Sequence, residues 1–158
     1  MPPPSETSLC GRLGQLHAMR YEMLNTGFKL CLVQGLVAIG QLGEALRLID
    51  GTTVVIEENG DLLHLPEALR VKGRVLLSMP QPRPHDAERC FVQSLDWSRQ
   101  QGARSWELRT ALDLASLRVA QGEHERAQAV LRPIFETFVE GLETADLKGD
   151  EHLLATLR

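Results

Sequence analysis

The sequence predicts an all-α chain arranged as a solenoid: about three helix pairs, a leading half pair and a closing helix; the alternative is an ordinary helical bundle, and the recurring small residues favour the solenoid. Three observations lead there. Hydrophobic residues make up 43% of the 158-residue chain but aromatics only 4%, so the core must be leucine, alanine and valine. That mixture, with few β-branched runs, favours helix over sheet. Second, three stretches superpose: "AIGQLGEALRLI", "QPRPHDAERCFVQSL" and "AQGEHERAQAVLRPI". Each has a turn, then a small residue opening a helix (Ala45, Ala87, Ala127) and, four residues on, a large apolar one (Ile49, Phe91, Leu131). Third, each of these helices is preceded by another helical pattern, and the unit recurs about every 40 residues.

The elements follow in order. "MPPPSETS" (residues 1–8) lacks the basic and apolar regions of a signal peptide and reads as a disordered lead-in. Residues 9–26 form the half repeat, a helix ended by Asn25-Thr26-Gly27 whose partner is missing. Such a half repeat leaves an apolar side exposed, to be covered by its neighbours or by another chain. The first pair spans about 28–57; its inner helix, Phe28 to Ile39, is apolar nearly all round. A loop at Asn59–Asp61 leads to the second pair, about 62–102. There Leu65, Leu69, Leu76 and Leu77 line a helix from Leu62 to Met79, and Pro66 sits in the first turn, where a missing N–H costs little. A loop at Pro80–Asp86 follows.

The third pair spans about 104–140. Gly102 precedes it, Ser105 is its N-cap, and Gly122 separates its helices. Trp106 to Val119 carries Leu108, Leu112 and Ala115 at helical spacing. Ala127, Val130, Leu131, Ile134, Phe135 and Phe138 then form one amphipathic face, kinked by Pro133. Gly73 and Ala115 supply the small side chains that close helix crossings need. The cap, 144–157, has Thr144 as N-cap and lays Leu147, Leu153, Leu154 and Leu157 over the third pair. Gly149 weakens it by about 1 kcal/mol relative to alanine.

Composition narrows the function. A net charge of −4 argues against a general nucleic-acid binder, which needs surplus Lys and Arg to displace counterions. Cys10, Cys31 and Cys90 are odd in number and far apart, neither a disulfide framework nor a zinc site, so reduced thiols and a cytoplasmic location are expected. No apolar run reaches about 18 residues, so no membrane span is expected. His17, His64, His85, His124 and His152 lack metal-ligand spacing. The serines have no G-x-S-x-G frame and the chain has no G-x-x-x-x-G-K-[ST]. No catalytic residue, cofactor or metal is expected. Lysines are few (Lys29, Lys72 and Lys148) beside the arginines, which suggests a GC-rich, bacterial genome.

Gly73, Ala87 and Phe91, then Ala115, Gly122, Ala127 and Leu131, resemble the small and large positions of tetratricopeptide repeats. The period exceeds the roughly 34 residues usual for them, so the helices are expected to be longer. A closer resemblance covers most of the chain. "HLPEALRVKGRVLL", "DAERCFVQSLDWSRQQGARSWELRTALDLASL" and "VEGLETADLK" look like the C-terminal repeat region of large bacterial signalling proteins. Those carry a predicted ATPase module, often with a class III adenylate or guanylate cyclase domain or a winged-helix DNA-binding domain. The ATPase and cyclase parts have no counterpart here. Gly149 and Asp150 also depart from the helix-favouring run that usually follows "TADLK".

The resemblance implies a right-handed solenoid whose first helices line a concave face. Counted from Gly73, that face holds Glu67, Arg70 and Arg74; from Ala115, Arg109 and Ser116; in the first pair, Gln34. Arg70, Arg74 and Arg109 can form a basic strip for an acidic peptide or carboxylate, which arginine grips bidentately. Alternatively they pair with Glu67 and Glu107 and only solvate the face. Trp97 and Trp106 are either groove anchors or packing between pairs. The expected function is a non-enzymatic interaction module of bacterial signalling or transcriptional regulation, binding a protein or peptide partner. The alternatives are self-association through the terminal helices, as in a homodimer, and small-molecule sensing in the groove.

Overall fold

The computed structural model describes residues 25–60 and 62–135. The lead-in (1–8), most of the half repeat, Phe138 and the cap at 144–157 with Thr144 and Gly149 lie outside the described residues. Within them the chain is helix and turn, with no strand. Among the described residues six α-helices follow one another: α1 (residues 25–38), α2 (Leu42–Asn59), α3 (Leu65–Ser78), α4 (Pro84–Gln101), α5 (Arg104–Ala120) and α6 (His124–Phe135). A 3-10 turn, Leu62–His64, leads into α3. None of the described helices is long and apolar enough to cross a membrane.

Short loops make consecutive helices neighbours. From α2 to α6 each helix packs on the next, and α3 also touches α5. Leu30, Val33 and Leu36 of α1 join Ala45, Ile49 and Ile56 of α2 and Leu65, Ala68, Leu69, Val71 and Val75 of α3 in one core cluster. A second cluster takes Leu76 of α3, Ala87, Phe91 and Leu95 of α4, and the inner faces of α5 and α6. Helix α3 therefore belongs to both.

The small-then-large pairs read from the sequence are all buried: Ala45 with Ile49, Ala87 with Phe91, Ala127 with Leu131. The crossing of α3 and α4 shows why small residues recur. A Cβ placed on Gly73 would lie 2.5 Å from the Phe91 ring, so only hydrogen leaves room for the aromatic. A buried Phe contributes about 1.5–3 kcal/mol through removal from water alone.

Polar links run between helices as well. The buried Ser94 hydroxyl donates to the Pro66 carbonyl at 2.7 Å and lies 2.8 Å from the buried Thr110 hydroxyl, tying α4 to α3 and α5. Arg118, nearly buried, reaches Glu88 of α4 at 3.1 Å and the Arg126 carbonyl of α6 at 3.2 Å. Each satisfied group avoids the desolvation cost of an unpaired buried polar atom.

Several boundaries differ from the sequence reading. Asn25-Thr26-Gly27 is helical rather than a terminator, and Gly27 is absent from the positive-φ glycines. Helix α4 opens at Pro84, so the expected loop to Asp86 ends at Arg83. Proline needs no N–H in a first turn, and Asp86 there meets the positive end of the helix dipole. The helix expected over Leu62–Met79 starts as a 3-10 turn and becomes α-helical at Leu65, with Pro66 in its first turn as expected. Helix α5 begins at Arg104, so Ser105 is not its N-cap; Ala103 holds that position, its carbonyl accepting from the Glu107 N–H at 3.0 Å. The cause is Gly102. Its left-handed φ of 64° lets its own N–H return to Arg99 while the Ala103 N–H bonds the Ser98 carbonyl, so one helix stops and the next starts at once.

Candidate functional site

Helices α1, α3 and α5 share one side of the molecule, and the sequence-predicted residues gather there. Glu67, Arg70 and Arg74 stand at i, i+3 and i+7 on α3, one face of a helix. Together with Gln34 of α1 and Arg109 of α5 they line a groove of about 320 Å³. Leu112 and Asp113 of α5 complete it. Ser116, also predicted, is exposed and does not line the groove. Neither tryptophan does: Trp97 packs against the core cluster of α1–α3, and Trp106 tilts against the His64 ring at 6.1 Å.

The arginines are not equivalent. Arg70 is buried and forks onto Glu67, with Nε to Oε2 at 2.9 Å and Nη2 to Oε1 at 2.7 Å. Its Nη1 donates to Asp113 Oδ2 at 2.8 Å. Burial works against its charged form, but the hydrogen bonds and charges of Glu67 and Asp113 outweigh this and hold the guanidinium more firmly protonated than usual. Arg70 is thus a clamp between α3 and α5. The pairing with Glu67 was one of the two sequence readings. Asp113 was missed, although it lies 43 residues on, about one repeat, and on the same helix face as Arg109. Glu107 does not join this group; it bonds Arg99 at 2.8 Å.

Arg74 differs. It is exposed, and its guanidinium has neither an ion pair nor a hydrogen bond among the described residues. It also borders a second recess of about 290 Å³, shared with Gln34 and lined by Val37, Ala38, Val71, Val75 and the polar Ser78. The groove therefore changes character along its length: charged between α3 and α5, aliphatic between α1 and α3, with Arg74 and Gln34 at the junction.

A third recess, on the side of α2, α3 and α4, is chemically quieter. Lys72 pairs with Asp50 at 2.8 Å, and Arg83 and Arg89 both pair with Asp86. Hydrogen bonds from Arg83 and Arg89 hold the Asp86 carboxyl below the usual carboxylate range. Cys90 lines this recess, and burial pushes its thiol up, away from the reactive thiolate. No group of three His, Cys, Asp or Glu suited to a metal ion occurs among the described residues. No protein-family model, curated protein or solved structure matches the chain.

Proposed function

We propose that this chain is a tetratricopeptide-like helical solenoid acting as a protein-interaction module, with a partner peptide or domain seated along α1, α3 and α5. One observation carries the reading: five of the six residues that the tetratricopeptide resemblance puts on the concave face line a single groove, and one of them, Arg74, has a guanidinium uncommitted among the described residues. Consecutive packing of the helices and burial of the repeating alanines support the solenoid. The resemblance to the repeat arms of bacterial signalling regulators supports a regulatory setting. The partner is acidic, since arginine grips carboxylates bidentately. Titrating the labelled chain with a poly-glutamate peptide and its poly-glutamine counterpart tests this. Binding of the acid alone, weakened by salt and lost in Arg74→Glu, is expected; equal binding of both would refute it.

A second reading, self-association, has its own support. Phe28, Leu32 and Ile39 on the α1 side are 72%, 55% and 69% exposed, an apolar stripe at i, i+4 and i+11. Light scattering decides it: a concentration-dependent dimer that Phe28→Glu disrupts is expected, and a strict monomer at high concentration excludes it.

A further inference from the structure

We infer that the groove selects acidic segments with an aliphatic side chain beside the acid, rather than acidic peptides in general. This rests on the groove reading above. Arg70 cannot be the selecting cation. It is buried and its donors are engaged by Glu67 and Asp113, so a ligand would have to displace ion pairs already made. Those two carboxylates already neutralise its charge, and they share the α5 end of the groove with Arg109.

Arg74 is placed otherwise. It is exposed and uncommitted among the described residues, and it stands where the charged recess meets the aliphatic one. A carboxylate drawn to Arg74 lies next to Val37 and Ala38 of α1 and Val71 and Val75 of α3. The Gln34 amide, at the same junction, can hydrogen-bond the ligand backbone. An acid alone would leave the aliphatic recess wet. A leucine, isoleucine or valine within a residue or two of the acid would fill it and remove apolar surface from water. Charge at Arg74 attracts the ligand, and the valine recess discriminates among acids.

Three blocked hexapeptides separate the contributions in a fluorescence-anisotropy titration of the full chain: Glu-Glu-Leu-Leu-Glu-Glu, Glu-Glu-Ser-Ser-Glu-Glu and Gln-Gln-Leu-Leu-Gln-Gln. The first should bind about tenfold more tightly than the second, the scale expected for filling an apolar pocket. The third should bind more weakly than the first. Arg74→Glu should abolish binding of both acidic peptides, and Val37→Ser should narrow the gap between them while circular dichroism stays unchanged. Equal affinity for the two acidic peptides, with Arg74 still required, would overturn the selectivity and leave the groove. Failure of both acidic peptides to bind would overturn the groove reading too.

Discussion

The crossing of α3 and α4 and the open side of α1 and α2 use glycine in opposite ways. At the crossing, Gly73 has no space: the Phe91 ring occupies the place of a side chain. Along α1 and α2, Gly35 and Gly51 are also helical, yet a Cβ there would meet nothing within 4 Å. A glycine inside a helix costs about 1 kcal/mol relative to alanine. At Gly73 that cost is offset by the burial of a whole phenyl ring. At Gly35 and Gly51 no contact among the described residues offsets it. The same residue type therefore marks a finished interface in one region and unused room in the other, the region that also exposes Phe28, Leu32 and Ile39.

The largest expected difference between the regions is in thiol accessibility. Cys31 of α1 is exposed, whereas Cys90 of α4 is buried. In the folded chain Cys31 should react with a thiol reagent at the rate of a free thiol. Cys90 should be slower, since it is only 8% exposed at the wall of the recess between α2, α3 and α4 and burial disfavours its thiolate. Stopped-flow labelling of single-cysteine variants measures this, and comparable rates would break the comparison. The sign of the pH effect follows from burial. Cys90 has its folded-state pKa raised above the ordinary value of 9.0, so its contribution to stability is full below that pH and is lost as pH climbs through the folded value. Alkaline loss of stability should therefore be smaller in Cys90→Ala.

Phe91→Ala should cost about 3–5 kcal/mol, as for large core aromatics. Gly73→Ala alone should also destabilise, by about 1–3 kcal/mol, because the added methyl overpacks the ring. The two changes together should be less damaging than their sum, since each relieves the other's fault. A urea-denaturation cycle reads this coupling directly. Additive effects would mean that Gly73 and Phe91 do not face each other as described.

Arg70→Met should cost about 3 kcal/mol, the low end for breaking a buried ion pair, because it takes the guanidinium away from the buried Glu67 carboxylate. Arg74→Met, at an exposed site without a partner among the described residues, should leave stability within about 0.5 kcal/mol of the parent. Chemical denaturation of the two variants separates a structural clamp from an exposed cation that does not hold the fold together. Equal losses would show that both arginines are structural.

These contrasts also mark what the sequence could tell. Helix identity and the buried Ala-then-large pairs were legible because burial imposes a period, and a period survives in one dimension. The groove was legible to the level of a helix face, and only through the tetratricopeptide resemblance, which put Gln34, Glu67, Arg70, Arg74 and Arg109 on one side. The division of labour among the arginines was not legible. It depends on Asp113, brought to Arg70 from α5 by tertiary packing and not by any local pattern. Ser116 was counted in and falls outside the groove because that count fixed a face but not the depth or ends of the recess. Ser105 looked like a cap only because the left-handed turn at Gly102, which restarts the helix a residue earlier, has no unique sequence mark.

The smallest effects sharpen the comparison most. Gly51→Ala in the exposed middle of α2 should stabilise the chain by about 1 kcal/mol, since a methyl there meets open space and better helix propensity is the only change. Gly35→Ala in α1 should do the same if its open side faces water alone. Gly35 falls between Leu32 and Ile39 on the exposed stripe, where a second helix could approach closely. Were that stripe an interface, the added methyl would hold the partner away. Gly35→Ala would then lower the melting temperature at high protein concentration while raising it at low concentration, and Gly51→Ala would raise it at both. A shift in the same direction at every concentration for both variants would mean that the room along α1 is simply solvent.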